Sequence, residues 1–210
     1  MASSRRRGVE SSQTRALLLD AAEQIMKEEG YPAVTTRGLS ARVGVSNQLV
    51  HYYFRTMDDL FVSLIRRHSE IHLRRLMHVL ATDNPLRALW ELNSDPKVAS
   101  LAMEFMALSN HRKAIGKEVA RQAEQMRALL TEALSRILTH YGIKQEQCPP
   151  ICLAILFDTV PRNLKIETAL GISMGHEEMQ TLLKNVFRPF ARNPAGRRRA
   201  VAPRKASRKR

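Results

Sequence analysis

Between Gly44 and Phe54 the chain reads GVSNQLVHYYF. Ser46, Asn47, Gln48, His51, Tyr52 and Tyr53 gather a hydroxyl, two amides, an imidazole and two phenols on one short segment of a chain otherwise rich in Leu, Ala and Arg. An amide side chain presents a donor beside an acceptor, which matches the major-groove edge of adenine. An aliphatic group such as Leu49 meets a thymine methyl, and Ser, His or Tyr reaches phosphate oxygens. Gln48 is the leading candidate for a base contact, and His51 is read as reaching phosphate or base rather than packing inside. Such chemistry is useful only on a rigid element that holds the side chains outward in register.

The flanking residues supply that element. Thr35 and Thr36 suit the start of a short helix over Arg37–Val43, and Gly44 suits its end. Ser46 suits the cap of a second helix through Tyr53. Ser40 is small enough for a crossed helix pair, and Leu39, Val43, Val45 and Val50 give it an apolar inside, so 34–53 reads as a helix-turn-helix. A chance helix pair linked by glycine has the same outline. The surroundings favour the first reading. A helix from Gln13 to Glu29 repeats Leu18, Ala21, Ala22, Ile25 and Met26 at helical spacing and stops at Gly30. A long helix towards Val79 begins at Thr56, with Asp58 and Asp59 in its first turn.

The rest of the chain indicates an all-α protein. Of 210 residues 44% are hydrophobic and only 5% aromatic, and β-branched residues never alternate in runs. Breaks fall at Thr82-Asp83-Asn84-Pro85, Ser94-Asp95-Pro96, Ser109-Asn110, Tyr141-Gly142, Cys148-Pro149-Pro150, Gly171 and Gly175, with stretches of helical length between them. The formal charge of +14 is unevenly spread: from Arg188 onward there are ten basic residues and no acidic one. Residues 1–12, with Arg5-Arg6-Arg7, read as a mobile basic arm, and 193–210 as a disordered basic tail. Both could neutralise phosphates without reading sequence.

Several function classes find no support. Cys148 and Cys152 are too few for a disulfide framework or a zinc site. No run reaches the roughly 20 apolar residues that span a membrane, and the N-terminus lacks a signal-peptide core, so a cytoplasmic protein is expected. HExxH, Gly-rich phosphate loops, GxSxG and Cys/His clusters are all missing. No enzyme, cofactor or metal is expected.

Thr14–Phe61 resembles the DNA-binding region of the TetR family of bacterial regulators. The matching pieces are TRALLLDAAEQIM, EEGYPAVTTRGLSARVGVS and HYYFRTMDDLF. The resemblance implies a three-helix DNA-binding domain over 13–56, followed by a larger helical ligand-binding and dimerisation domain over 57–192. It implies a homodimer on a palindromic operator in double-stranded DNA, repressing until a small molecule releases it. Thr36, Arg37, Ser46, Asn47, Gln48, Leu49, His51, Tyr52 and Tyr53 are the implied DNA-contacting residues. Three departures prevent transfer of an operator sequence: Gln48, Leu49 and His51 stand where the family often has Gly, Thr and Tyr. Met57 also stands where the family favours Lys.

For an unknown, mainly apolar effector the candidate lining is Trp90, Met103, Phe105, Met106, Met126, Phe157 and Arg162. The same residues could equally be core, and Arg162 could pair with Asp158 instead of a ligand carboxylate. Helices from about Gln145 to Gly171 and from His176 to Phe190 would form the dimer seam through Leu153, Leu156, Val160, Leu164, Leu182, Leu183 and Val186. The rival function is an architectural DNA-binding protein dominated by its basic arm and tail.

Overall fold

The computed structural model describes residues 2–187, all-helical among them. The helices are α1 (Ala2–Glu29), α2 (Thr36–Val43), α3 (Asn47–Tyr53), α4 (Met57–Leu80), α5 (Pro85–Asn93), α6 (Pro96–His111), α7 (Lys113–His140), α8 (Pro150–Ala169) and α9 (His176–Phe187), with a 3₁₀ turn at Tyr31–Ala33. The chain divides into two compact units, Met1–Arg74 with Pro96–Met126, and Arg75–Asp95 with Arg127–Arg210. The tail expected over 193–210 lies outside the described residues.

In the first unit the apolar stripe of α1 (Leu18, Ala22, Ile25, Met26) meets Leu39 of α2, Val50 of α3 and Leu60, Phe61 and Leu64 of α4. Leu101, Phe105 and Leu108 of α6 and Ile115 of α7 complete the same core. The helix-turn-helix therefore shares its interior with segments far along the chain. Charged clasps hold the periphery: Arg67 donates to Asp20 (2.7 Å) and Glu23 (2.9 Å), and Arg42 donates to Glu28 (2.7 Å). The Arg42 guanidinium beside Glu28 holds that carboxyl below its usual range. The helix expected to begin near Gln13 runs from Ala2, across the segment read as an arm; Ala, Ser, Arg and Glu there continue a helix once the apolar turns have nucleated it.

Glu118 of α7 is the buried carboxylate among this unit's described residues. It accepts a paired bond from Arg66 of α4 (Nε 2.9 Å, Nη2 3.2 Å), a second fork from Arg121, and Gln122 Nε2 (2.9 Å). Arg121 first, then Arg66, holds its carboxyl far below the usual carboxylate range against the opposing cost of burial.

The second unit is built on Leu130, Leu134 and Leu138 of α7, which recur at every fourth residue, with Leu86 and Leu89 of α5 and Ala154 and Phe157 of α8, all buried. Asn84 caps α5 by accepting from Arg87 N (3.2 Å), and Pro85 takes the first helical position, where its missing N–H costs nothing. The helix expected from about Gln145 begins instead at Pro150. Gln145 belongs to the preceding turn, where its amide donates to Ser135 Oγ (2.9 Å) and Thr139 Oγ1 (3.1 Å) of α7. The Pro149-Pro150 pair then sets the start. Pro161 lies inside α8 and is buried; having no N–H, it makes no bond to the Phe157 carbonyl four residues back, and the buried Asn93 amide donates to that carbonyl (2.9 Å).

Candidate nucleic-acid interface

The α2–α3 unit is capped at each of its ends. Thr35 Oγ1 accepts from Gly38 N (3.0 Å), and Ser46 Oγ accepts from Leu49 N (3.2 Å). Gly44 closes α2 at φ 74°, ψ 35°, with its N–H donating to Ser40 O (2.9 Å). That left-handed conformation is the reason a glycine belongs there. The start of α4 is a reciprocal box: Thr56 N donates to Asp59 Oδ2 (3.0 Å) and Asp59 N to Thr56 Oγ1 (3.1 Å). Ser40 is buried, and its hydroxyl donates to Asn47 Oδ1 (2.6 Å), linking the first helix to the first residue of the second.

Burial then sorts the segment into two faces. Val50 and Phe54 point into the core, and Leu49 and Tyr53 are half-buried. Asn47, Gln48, His51 and Tyr52 are exposed together, Tyr52 at 74%, its ring meeting the Tyr53 ring edge-on at 5.1 Å. Arg37 and Ser46 are exposed on the same two-helix unit, and Thr36 is half-buried. The Thr36 hydroxyl donates to Met57 Sδ at 3.7 Å. A thioether is a weak acceptor, so a phosphate oxygen could displace it. Asn47 is the one amide already committed, its oxygen engaged by Ser40 while its NH₂ stays available. Gln48 and His51 have both polar ends open to solvent chemistry.

Sequence reasoning did not find three supports of this face. Arg15 of α1 places its guanidinium over the Phe54 ring (5.1 Å to the centroid) and donates to Ser63 Oγ (2.8 Å), bracing the end of α3. Arg112 pairs with Asp58 in the first turn of α4 and lies over Phe61 (5.7 Å). Glu104 Oε2 accepts from Tyr31 N (2.8 Å). Each contact joins residues more than 30 positions apart, and no periodicity marks such partners.

The effector-lining candidates are divided between the two units. Met103, Phe105, Met106 and Met126 belong to the first unit, and Trp90, Phe157 and Arg162 to the second. Phe105 is core, its ring edge-on to His68 (5.9 Å), while Met103 and Met106 of the same helix are exposed. Trp90 and Met126 are half-buried and Phe157 is buried. Arg162 donates to Asp158 Oδ1 (3.3 Å), the ion-pair alternative. No cluster of His, Cys, Asp or Glu among the described residues could hold a metal, and no described helix is long and apolar enough to cross a membrane.

Residues 18–64 match the family described as bacterial regulatory proteins, tetR family. The fold is similar to that of a TetR transcription regulator from Haloarcula marismortui (TM-score 0.66, 16% identity, 84% of this chain and 96% of that one). It is similar to a transcriptional regulator from Saccharomonospora viridis solved with choline (0.66, 19%, 84% and 96%). It also resembles reduced E. coli NemR (0.68, 17%, 82% and 96%). No curated protein matches in sequence. The chain carries the helix-turn-helix domain of the tetR family of bacterial regulatory proteins, on the all-helical fold of that family's transcription regulators.

Proposed function

We propose that this protein is a homodimeric repressor that reads a palindromic operator through α3 and is released from it by a small, mainly apolar molecule. The observation that carries the reading is the exposed quartet Asn47, Gln48, His51 and Tyr52 on a helix capped at its start and buried on its other side. In this reading Gln48 and the free NH₂ of Asn47 address base edges, and Leu49 approaches a thymine methyl. Thr36, Arg37, Ser46, His51, Tyr52 and Tyr53 hold phosphates at the N-terminus of α2 and along α3. The α4 N-terminus is less available to phosphate, because Asp59 already accepts from Thr56 N there.

Dimerisation is supported by apolar side chains left exposed on α8 and α9: Ile151, Ile155, Leu156 and Leu182. Leu183, also expected in that seam, is buried within its own unit. Ligand response is supported by kinship of fold with a regulator that holds choline. Trp90 and Phe157 are the side chains of the second unit best suited to an apolar guest. A cytoplasmic location follows from this role. Two subunits would present their α3 helices about 34–36 Å apart, one turn of the duplex.

The test is selection of duplexes from a random library by the purified protein, followed by sedimentation of the complex. Enrichment of an inverted repeat bound by two chains supports the reading. Equal retention of all duplexes would favour an architectural protein held by its basic tail.

A further inference from the structure

The 3₁₀ turn Tyr31–Ala33 joins α1 to α2, and its first N–H lacks a local acceptor because Gly30, in the capping position, has no side chain. Its acceptor comes from α6. Glu104 Oε2 takes the Tyr31 N–H at 2.8 Å across 73 positions of sequence, and the His111 ring of the same helix stacks on the Tyr31 ring (centroids 6.4 Å, 29°). The turn in turn backs onto α2: a Cβ added at Gly38 would stand 3.3 Å from the Ala33 carbonyl, so the two backbones are already close. From α2 the buried Ser40 reaches Asn47 at the start of α3. The α6 carboxylate is thus linked to the first residue of α3 through successive neighbouring elements, the 3₁₀ turn and α2.

We propose that Glu104 is a positioning residue for DNA recognition: it caps the α1–α2 junction from outside the helix-turn-helix and so fixes the orientation from which α3 reads bases. This rests on the proposed sequence-specific role of α3. The physical reason is that a free 3₁₀ N–H can swing towards water, whereas a charged acceptor on a packed helix gives it one place. Glu104 touches no nucleotide; its effect passes through Tyr31.

The test compares E104Q, E104L and E104D in the full-length protein, on the duplex the wild type selects and on a scrambled one. Gln keeps an acceptor at the same reach, Leu removes it, and Asp keeps the charge but is too short. E104L is expected to lose about tenfold of the preference for the selected duplex, within the ~5–150-fold usual for coupled sites, with scrambled-duplex affinity equal to that of E104Q. E104Q should stay within about twofold of wild type by the same scale. Amide exchange, measured without DNA, should speed up in E104L across 31–53 while 150–169 keeps its protection. E104D should show the same pattern and decides the matter if E104L fails to fold. An E104L or E104D protein with wild-type preference, or with exchange changed only at Tyr31, overturns the proposal. If the wild type selects no duplex, the proposed function fails on its own, and the exchange comparison still decides whether Glu104 holds the helix pair.

Discussion

The side-chain amide of Asn93 donates to the backbone carbonyl of Phe157 at 2.9 Å, inside the second unit. This bond replaces the one that Pro161, four residues on, is unable to make. Asn93→Leu removes that side-chain donor and should cost about 1–3 kcal/mol in urea unfolding. Pro161→Ala restores an N–H to that carbonyl, so in the Pro161→Ala background the same Asn93→Leu change should cost clearly less. Equal costs in the two backgrounds would separate Asn93 from the proline.

Glu118 makes the first unit sensitive to acid. Its carboxyl is depressed in the folded state, by Arg121 first and Arg66 second, while in the unfolded chain it titrates near ~4.3. The stabilisation is therefore complete above the unfolded value and is lost as pH falls towards the folded one. Glu118→Gln should lower stability at pH 7 by about 2 kcal/mol, less than the ~3–5 of a fully buried pair, because both guanidinium groups are about half exposed. Urea midpoints between pH 6 and pH 3 should fall less steeply in the variant than in the wild type.

Gly44 and Gly142 both sit at positive φ, 74° and 68°, with open space where a Cβ would go. Alanine at either should cost about 1–2 kcal/mol from the left-handed backbone alone. Only Gly44→Ala should also weaken binding to a selected duplex, since Gly44 sets the crossing of α2 and α3. Comparable loss of DNA binding in Gly142→Ala would deny the turn its special part.

Gln48 and Arg37 should separate by kind of effect. Gln48→Ala should relax preference at one base pair by about 1–3 kcal/mol. Arg37→Ala should weaken all duplexes alike and reduce the log–log salt slope by about 0.9. Anisotropy titrations on single-base variants at several salt concentrations distinguish the two.

The parts legible in sequence were those written locally. Thr35, Gly44, Ser46 and the Thr56–Asp59 box announce helix ends because their side chains or backbone freedom act within three or four residues, and the structure makes those bonds. The start of α8 was misread because Gln145 looks helical by propensity while its amide is spent on α7. Partners such as Arg15 and Phe54, or Glu104 and Tyr31, share no local signal. Phe105 shows the same limit: the sequence leaves it between effector lining and core, and only the fold reveals that its neighbours are those of the helix-turn-helix.

The most direct test of the central claim is fluorescence anisotropy on a duplex from the chain's own upstream intergenic DNA, or one enriched by selection, against a scrambled duplex at near-physiological salt. It is run with full-length protein and with a chain lacking residues 193–210. The account predicts a preference of about a thousandfold or more that survives removal of the tail and falls about 5–150-fold in Gln48→Ala, the equivalent of ~1–3 kcal/mol. Equal affinity for both duplexes, lost together with the tail, would contradict it.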